Sequence, residues 1–182
     1  RELAQGHRAL EERVEQAYRG ALTQASDTDG LLELGHTNAA LDVLAERKDW
    51  DRLWEMAARE RCSPAMAAKY VTLQVNALLE DAVGPGHGKA LEEAVHALHA
   101  HGAPSAQAGA ALYSKLVKTL LASSKKQESE FEYAATVTML RDVMYKVMQS
   151  SEVEVEFERL LMMVHYTHIH FTCAAAGGAL MD

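Results

Sequence analysis

The run TNAALDVLAERKDWDRLWEMAARERCSP, residues 37–64, constrains the fold more than any other part of the chain. Ala40, Leu41 and Leu44 recur at the three- and four-residue spacing of one helix face, and Trp50, Leu53, Trp54 and Ala57 make a second. Only a tight turn at Lys48-Asp49 separates them. Thr37 is placed to cap the first helix and Asp49 the second, because their side-chain oxygens can accept from unpaired first-turn N–H groups. Two short helices joined so closely cannot bury their apolar faces alone. The pattern is an αα-hairpin that stacks on similar neighbours.

The rest of the chain has the same grain. Leu3, Leu10, Val14, Ala17 and Ala21 predict a helix over 1–26. SDTDG breaks it, Asp29 caps a short helix through Leu34, and Gly35-His36 ends that one. Ser63-Pro64 opens a helix through Tyr70, Leu73, Ala77 and Leu78 to about Asp81. The loop VGPGHG follows, then a helix over 89–101 that Gly102-Ala103-Pro104 stops. A helix from Ser105 carries Leu112, Leu116, Val117, Leu120 and Leu121. The boxes Ser129-x-x-Glu132 and Ser151-x-x-Glu154 open two more. The first has Tyr133, Val137, Leu140, Met144 and Val147 on one side, and the second runs through Phe157, Leu160, Leu161 and Val164. Ala40, Leu41, Leu44 and Lys48 match Ala94, Val95, Leu98 and Gly102 at an offset of about 54, a faint internal repeat. The expected fold is all-α, an α-solenoid of antiparallel helical hairpins of tetratricopeptide type. Residues 1–26 form an N-terminal helix and 27–182 the repeats.

Composition agrees: Ile169 is the only isoleucine, and Ala and Leu dominate the apolar residues, as helices favour. The net charge of −8 argues against nucleic acid and against an anionic membrane surface, since both demand a basic face. Cys62 and Cys173 lie far apart, which suits a reducing compartment rather than a disulfide framework. The chain opens on Arg1, as a piece of a longer protein would, and no signal peptide opens it.

The one stretch that suggests chemistry is HYTHIHFTC, residues 165–173. With about 100° of turn per residue, Phe157, Leu160, Leu161, Val164, His168 and Phe171 share one stripe. His165 sits at its edge, and His170 and Cys173 fall away from it. Only His165 and His168 could share a metal, and a structural zinc needs four ligands. His96, His99 and His101 have the same defect, the first two sharing a face that the third does not. The expectation is therefore no metal, with His168 on a packed face and His170 on the opposite one. Residues 160–181 lack Asp, Glu, Lys and Arg, but three His, two Thr and paired Gly make them too polar for a bilayer, so they read as a buried terminal helix rather than a membrane span. The loop from Gly84 to Lys89 lacks the Gly and Ser/Thr that a phosphate-binding loop needs, at the positions of Val83 and Ala90. No nucleophile has a base nearby in sequence, so no catalytic or cofactor-binding residue is assigned and the chain is not expected to be an enzyme. Trp50 and Trp54 share a face and read as the wedge inside their hairpin, with a partner hot spot as the alternative.

The segments ALDVLAERKDWDRLWEMAARERCSPAMAAKYVTLQVNALL, HGAP (101–104), YSKLVKTLL (113–121), MLRDVMYKV (139–147) and FERLLMMVHY (157–166), in this order, resemble the C-terminal tetratricopeptide-like region of the intraflagellar transport protein 172 family. The resemblance runs from about Leu31 onward. It implies a structural scaffold subunit of the intraflagellar transport B complex, working by protein–protein contacts in the trains that assemble and maintain cilia. The implied partners are B-complex and A-complex subunits. The implied location is the cilium or flagellum and the basal body, on the cytoplasmic side. The resemblance brings repeat-packing positions and no catalytic list. A ubiquitin-ligase-like module at the family's extreme C-terminus is an alternative, and another coat-like α-solenoid adaptor is a second. The chain is expected to stop before or at the edge of that module and to carry no ligase activity.

Overall fold

The computed structural model describes the backbone of residues 2–81, 87–102, 104–124, 130–150 and 155–178. Within these ranges, side chains 2–7, 81, 87, 108, 122–124, 130–133, 150, 170–172 and 174–178 are not described. Among the described residues every element is a helix: α1 (Glu2–Gln24), α2 (Thr28–Glu33), α3 (Thr37–Glu46), α4 (Trp50–Arg59), α5 (Pro64–Asp81), α6 (His87–His101), α7 (Ala106–Ser124), α8 (Glu130–Ser150) and α9 (Val155–Gly178). They form two compact units, Arg1–Cys62 and Ser63–Asp182.

The first unit is organised by how its helices stop. Each of its four helices ends on a residue turned into the left-handed region: Ser26 (φ 54°), Gly35 (75°), Lys48 (57°) and Arg61 (51°). The left-handed residue's N–H donates three residues back, Ser26 to Thr23, Gly35 to Leu32, Lys48 to Ala45 and Arg61 to Ala58. The next N–H donates five back, Asp27 to Leu22, His36 to Leu31, Asp49 to Leu44 and Cys62 to Ala57. All eight bonds lie between 2.8 and 3.3 Å. This is the Schellman closure, which satisfies the carbonyls a helix end leaves unpaired. The residues accepting the longer bond, Leu22, Leu31, Leu44 and Ala57, are all buried, so every closure is anchored in the core. The residue that donates it is already the cap of the next helix at Asp27, His36 and Asp49.

That geometry corrects two sequence expectations. Asp27, not Asp29, caps α2, its Oδ1 accepting from the Gly30 N–H at 2.9 Å. His36, not Thr37, occupies the α3 cap, without a side-chain bond. The left-handed turn at Gly35 fixes the cap position one residue early. Asp49 stands at the α4 cap as expected, although its carboxylate makes no capping bond.

In the second unit, contacts run between chain neighbours and between next-but-one helices. α5, α7 and α9 touch in one layer, and α6 and α8 touch in the other. This two-layer stacking of successive hairpins is the arrangement an α-solenoid uses. Leu91, Val95 and Leu98 of α6, Leu116 and Leu120 of α7, and Leu140 and Met144 of α8 are buried. On α5 the buried face is Tyr70, Val71, Val75 and Leu79, while Leu73 is exposed. The expected face was offset because α5 is apolar on several sides, so spacing could not choose among them. α6 starts at His87, inside the stretch read as a loop. The faint repeat has a structural counterpart: Ala94, Val95 and Leu98 are buried as Ala40, Leu41 and Leu44 are, and Gly102 (φ 91°) is left-handed as Lys48 is. Ser129, Ser151 and Glu154 of the two capping boxes, and residues 82–86, lie outside the described residues, as does the side chain of Glu132.

Tyr113 locks α7 to α9. Its ring meets Phe157 edge-on, centroids 5.2 Å apart and planes at 89°. Its hydroxyl donates to the Pro104 carbonyl at 3.4 Å, and burial raises its pKa. Gly109 makes room for the ring, since a Cβ there would lie 2.7 Å from Tyr113 Cε2. Lys115 on α7 reaches Asn76 Oδ1 (3.4 Å) and Glu80 (3.6 Å) on α5, tying the same layer at its rim.

Gly35→Ala meets no atom within 4 Å, so its cost is conformational and should be about 1 kcal/mol. Arg61→Gly, at the equivalent turn, should instead stabilise by up to about 1 kcal/mol, the relieved strain being partly offset by unfolded-chain entropy. Gly109→Ala gains about 1 kcal/mol of helix propensity but loses about 1–3 kcal/mol to overpacking against Tyr113, a net loss. Equilibrium denaturation of the three variants checks these signs.

Candidate functional site

The histidine-rich stretch lies on α9, and the structure separates its members. His168 is half-buried toward α8, with Nδ1 3.2 Å from Thr138 Oγ1. The Thr138 hydroxyl donates its one proton to the Ala134 carbonyl at 2.8 Å. Toward the ring it can therefore only accept, and the neutral His168 carries its proton on Nδ1. Burial lowers the His168 pKa, the positive Arg141 and then His165 lower it further, and Asp142 opposes them. His165 is half-buried with an Nδ1 that has no hydrogen-bond partner. Cys173 is exposed, while His170's side chain lies outside those described. Thus His168 is on the packed side as expected, doing the work of a helix–helix hydrogen bond.

In the other cluster His96 and His99 are exposed and His101 is half-buried. Burial lowers the His101 pKa, and the charge of His96 adds to that. Among the described residues no group of three or more His, Cys, Asp or Glu could hold a metal ion. Among them, too, no helix is long and apolar enough to cross a membrane. Burial, and then the Glu60 carboxylate, push the Cys62 thiol up, the opposite of an activated nucleophile.

The first unit has a cleft of about 270 Å³ lined by Glu12, Glu15, Gln16 and Arg19 of α1 and by His36. His36 Nε2 is 3.4 Å from Glu15 Oε1, yet that buried nitrogen has no hydrogen-bond partner. The distance allows an ion pair with a protonated ring, but the angle does not make a hydrogen bond. The contact is electrostatic. The lining offers neither a nucleophile nor a ligand set.

What remains is apolar surface. On α1 the apolar positions that predict the helix are uncovered: Leu10 (58%), Val14 (68%), Ala17 and Ala21 are open, as is Tyr18 (55%) beside them, and Leu22 is buried near the helix end. Trp50 and Trp54 are each half-buried, between the two roles expected of them. α9 is apolar on two faces. Phe157, Leu160, Leu161 and Val164 are buried, while Val155, Met162, Tyr166 and Ile169 on the opposite side are exposed. The sequence expectation of a buried terminal helix is corrected to a helix buried on one face. The charge-free run 160–181 already held the signal for a second apolar face, because a helix apolar all round is normally covered all round.

Comparison with known proteins gives one consistent result. The chain is 25% identical over 169 residues to the intraflagellar transport protein 172 homolog of Drosophila melanogaster, covering 88% of this chain and 9% of that protein. It is 26% identical over 164 residues, 86% of this chain, to the homologs of Rattus norvegicus and Mus musculus, again covering 9% of each. The chain thus spans about 9% of the length of the curated relatives it matches. No family model matches it, and no solved structure does.

Both perturbed histidines share a sign. Each is held below its ordinary value of 6.5, so the unfolded chain binds more protons below that pH. Their contribution to stability is complete above about pH 6.5 and is lost as pH falls toward the folded values. Denaturation midpoints should therefore drop from pH 7 to pH 5.5. His168→Asn, which keeps a donor for Thr138 but cannot titrate, should make that drop shallower.

Proposed function

We propose that this chain is a protein-interaction scaffold in intraflagellar transport, a stretch of helical repeats of the type found in the protein 172 subunit. The observation that carries this is similarity to three homologs of that protein across 86–88% of the chain. The fold supports it. Two-layer helical stacking exposes long helix faces, and the polar clusters satisfy packing rather than chemistry. The finer reading follows the same similarity: a B-complex subunit with tetratricopeptide-type hairpins, at the cilium and basal body, meeting other B-complex subunits and the A complex. It is not an enzyme and uses no cofactor. Affinity would come from a few apolar and aromatic anchors, with the acidic surface tuning the rate and selectivity of encounter.

Affinity capture with this chain from ciliary extract, followed by mass spectrometry, is expected to recover intraflagellar transport subunits. Recovery of vesicle-coat or nuclear-pore subunits in their place would support the rival coat-like adaptor. Incubation with ubiquitin, activating enzyme and conjugating enzyme should give no ubiquitin chains, and chain formation would overturn the non-enzymatic reading.

A further inference from the structure

Two helices of the second unit open on an exposed serine. Ser63 precedes α5 and Ser105 precedes α7. The carbonyl of each accepts the first bond of its helix, from the Ala67 N–H at 3.0 Å and from the Gly109 N–H at 2.7 Å. Only the first serine is followed by proline. The chain has three prolines, at 64, 85 and 104, preceded by Ser63, Gly84 and Ala103, so Ser63-Pro64 is the one Ser/Thr-Pro pair in the sequence. Ser63, Pro64 and Ala65 are all exposed. Ser63 is the first residue of the second unit, with α4 before it and α5 after it, so its exposure does not depend on a chain end.

The proline does two things here. Its ring pushes the preceding residue out of the helical region, so Ser63 is held extended, and neither Cys62 nor Ser63 is helical. Its missing N–H costs α5 nothing at the first helical position. The Ser63 Oγ accepts from the Met66 N–H at a long 3.3 Å, so the first turn can peel open at small cost. An extended, exposed serine with proline after it is what a proline-directed protein kinase reads, and that recognition is independent of the helix end. We propose that Ser63 is a phosphorylation site for such a kinase, with magnesium-bound ATP as the phosphoryl donor. The Ser63 Oγ bonds to the γ-phosphorus as the bond from that phosphorus to the oxygen bridging the β- and γ-phosphates breaks. ADP leaves with the electron pair, and the hydroxyl proton passes to the catalytic aspartate of the kinase. The helix end then decides what the product does. A phosphoserine brings nearly two negative charges and strong acceptor oxygens to the N–H groups of the first turn of α5, which holds no acidic residue. Arg61, exposed two residues upstream, offsets part of that charge, and Glu60 opposes it. Phosphorylation at Ser63 therefore tightens the start of α5. This inference goes beyond the scaffold reading and does not depend on it, since it is read from modification of the purified chain.

The purified chain, incubated with a cyclin-dependent kinase and magnesium-bound ATP and mapped by tandem mass spectrometry, should carry phosphate on Ser63. Ser105, which shares the exposure and the place before a helix but has Ala106 after it, should stay unmodified. Ser63→Ala should lose the label. Pro64→Ala keeps both the acceptor and its capping oxygen and should lose the label too. Alanine is a strong helix former, so that variant should keep the parent's helical circular dichroism. The phosphorylated chain should keep the same spectrum and raise its thermal midpoint by up to about 4 °C. A chain left unmodified, phosphate on Ser105 or another residue in place of Ser63, full labelling of Pro64→Ala, or a midpoint lowered by phosphorylation would each overturn the proposal.

Discussion

The left-handed residue at the end of each helix is the constraint on which the first unit depends. A helix end leaves four carbonyls without partners, and a buried end without them is costly. Here one residue with positive φ closes the end with two hydrogen bonds and hands the chain to the next cap at once. The closure brings an anchored apolar residue to each end: Leu22, Leu31, Leu44 and Ala57. Burial of a leucine there is worth roughly 1.5–3 kcal/mol, more than the 1–2 kcal/mol that a non-glycine residue gives up in the left-handed region. That inequality explains how Ser26 and Lys48, anchored by Leu22 and Leu44, stand where glycine would be easier. Packing decides the turn, and the residue at the turn accommodates it.

A fold built by repeating one closure and one kind of packing has a consequence for its surface. Each helix is covered where a neighbour or next-but-one neighbour lies on it, as α7 and α8 cover one side of α9. No local rule covers the other side. Among the described residues, α1 and α9 hold most of the exposed large apolar side chains. Their difference is in pattern. On α9 the exposed Val155, Met162, Tyr166 and Ile169 lie opposite a buried face, whereas among the described side chains of α1 Leu22 alone is buried.

The sequence made helix identity and most core positions readable because 3.6-residue spacing is a local signal. Leu112, Leu116, Val117 and Leu120 on α7, and Leu140, Met144 and Val147 on α8, are buried as spacing implies. The caps of α2 and α3 were misplaced by one or two residues because their position is set by backbone handedness at Ser26 and Gly35, and a serine gives no hint of positive φ. α5 shows the other failure, since a helix apolar on several sides has no unique period. Its true face depends on where α6 and α7 lie. For the candidate site, helical angles were enough to place His168 inward and Cys173 outward. The partner of His168 was not readable, because Thr138 lies thirty residues away on another helix. The exposed outer face of α9 was missed because an uncharged run was assigned wholly to burial.

The His168–Thr138 contact also shows why these histidines serve packing better than chemistry. Thr138 gives its proton to Ala134, so it can accept but not donate toward the ring, and it thereby holds the ring in one tautomer. Burial and Arg141 both disfavour a second proton on that ring. A general base at this place would need to gain a proton readily, and a metal ligand would need companions within reach. His165 shares the face but leaves its Nδ1 buried and unpaired, and Cys173 points to the exposed side. The cost of one unsatisfied nitrogen, about 1–3 kcal/mol, is tolerable where Phe157, Leu160, Leu161 and Val164 bury their side chains alongside it. Stability in this helix thus rests on its apolar inner face, with the His168 imidazole fixing register against Thr138 of α8.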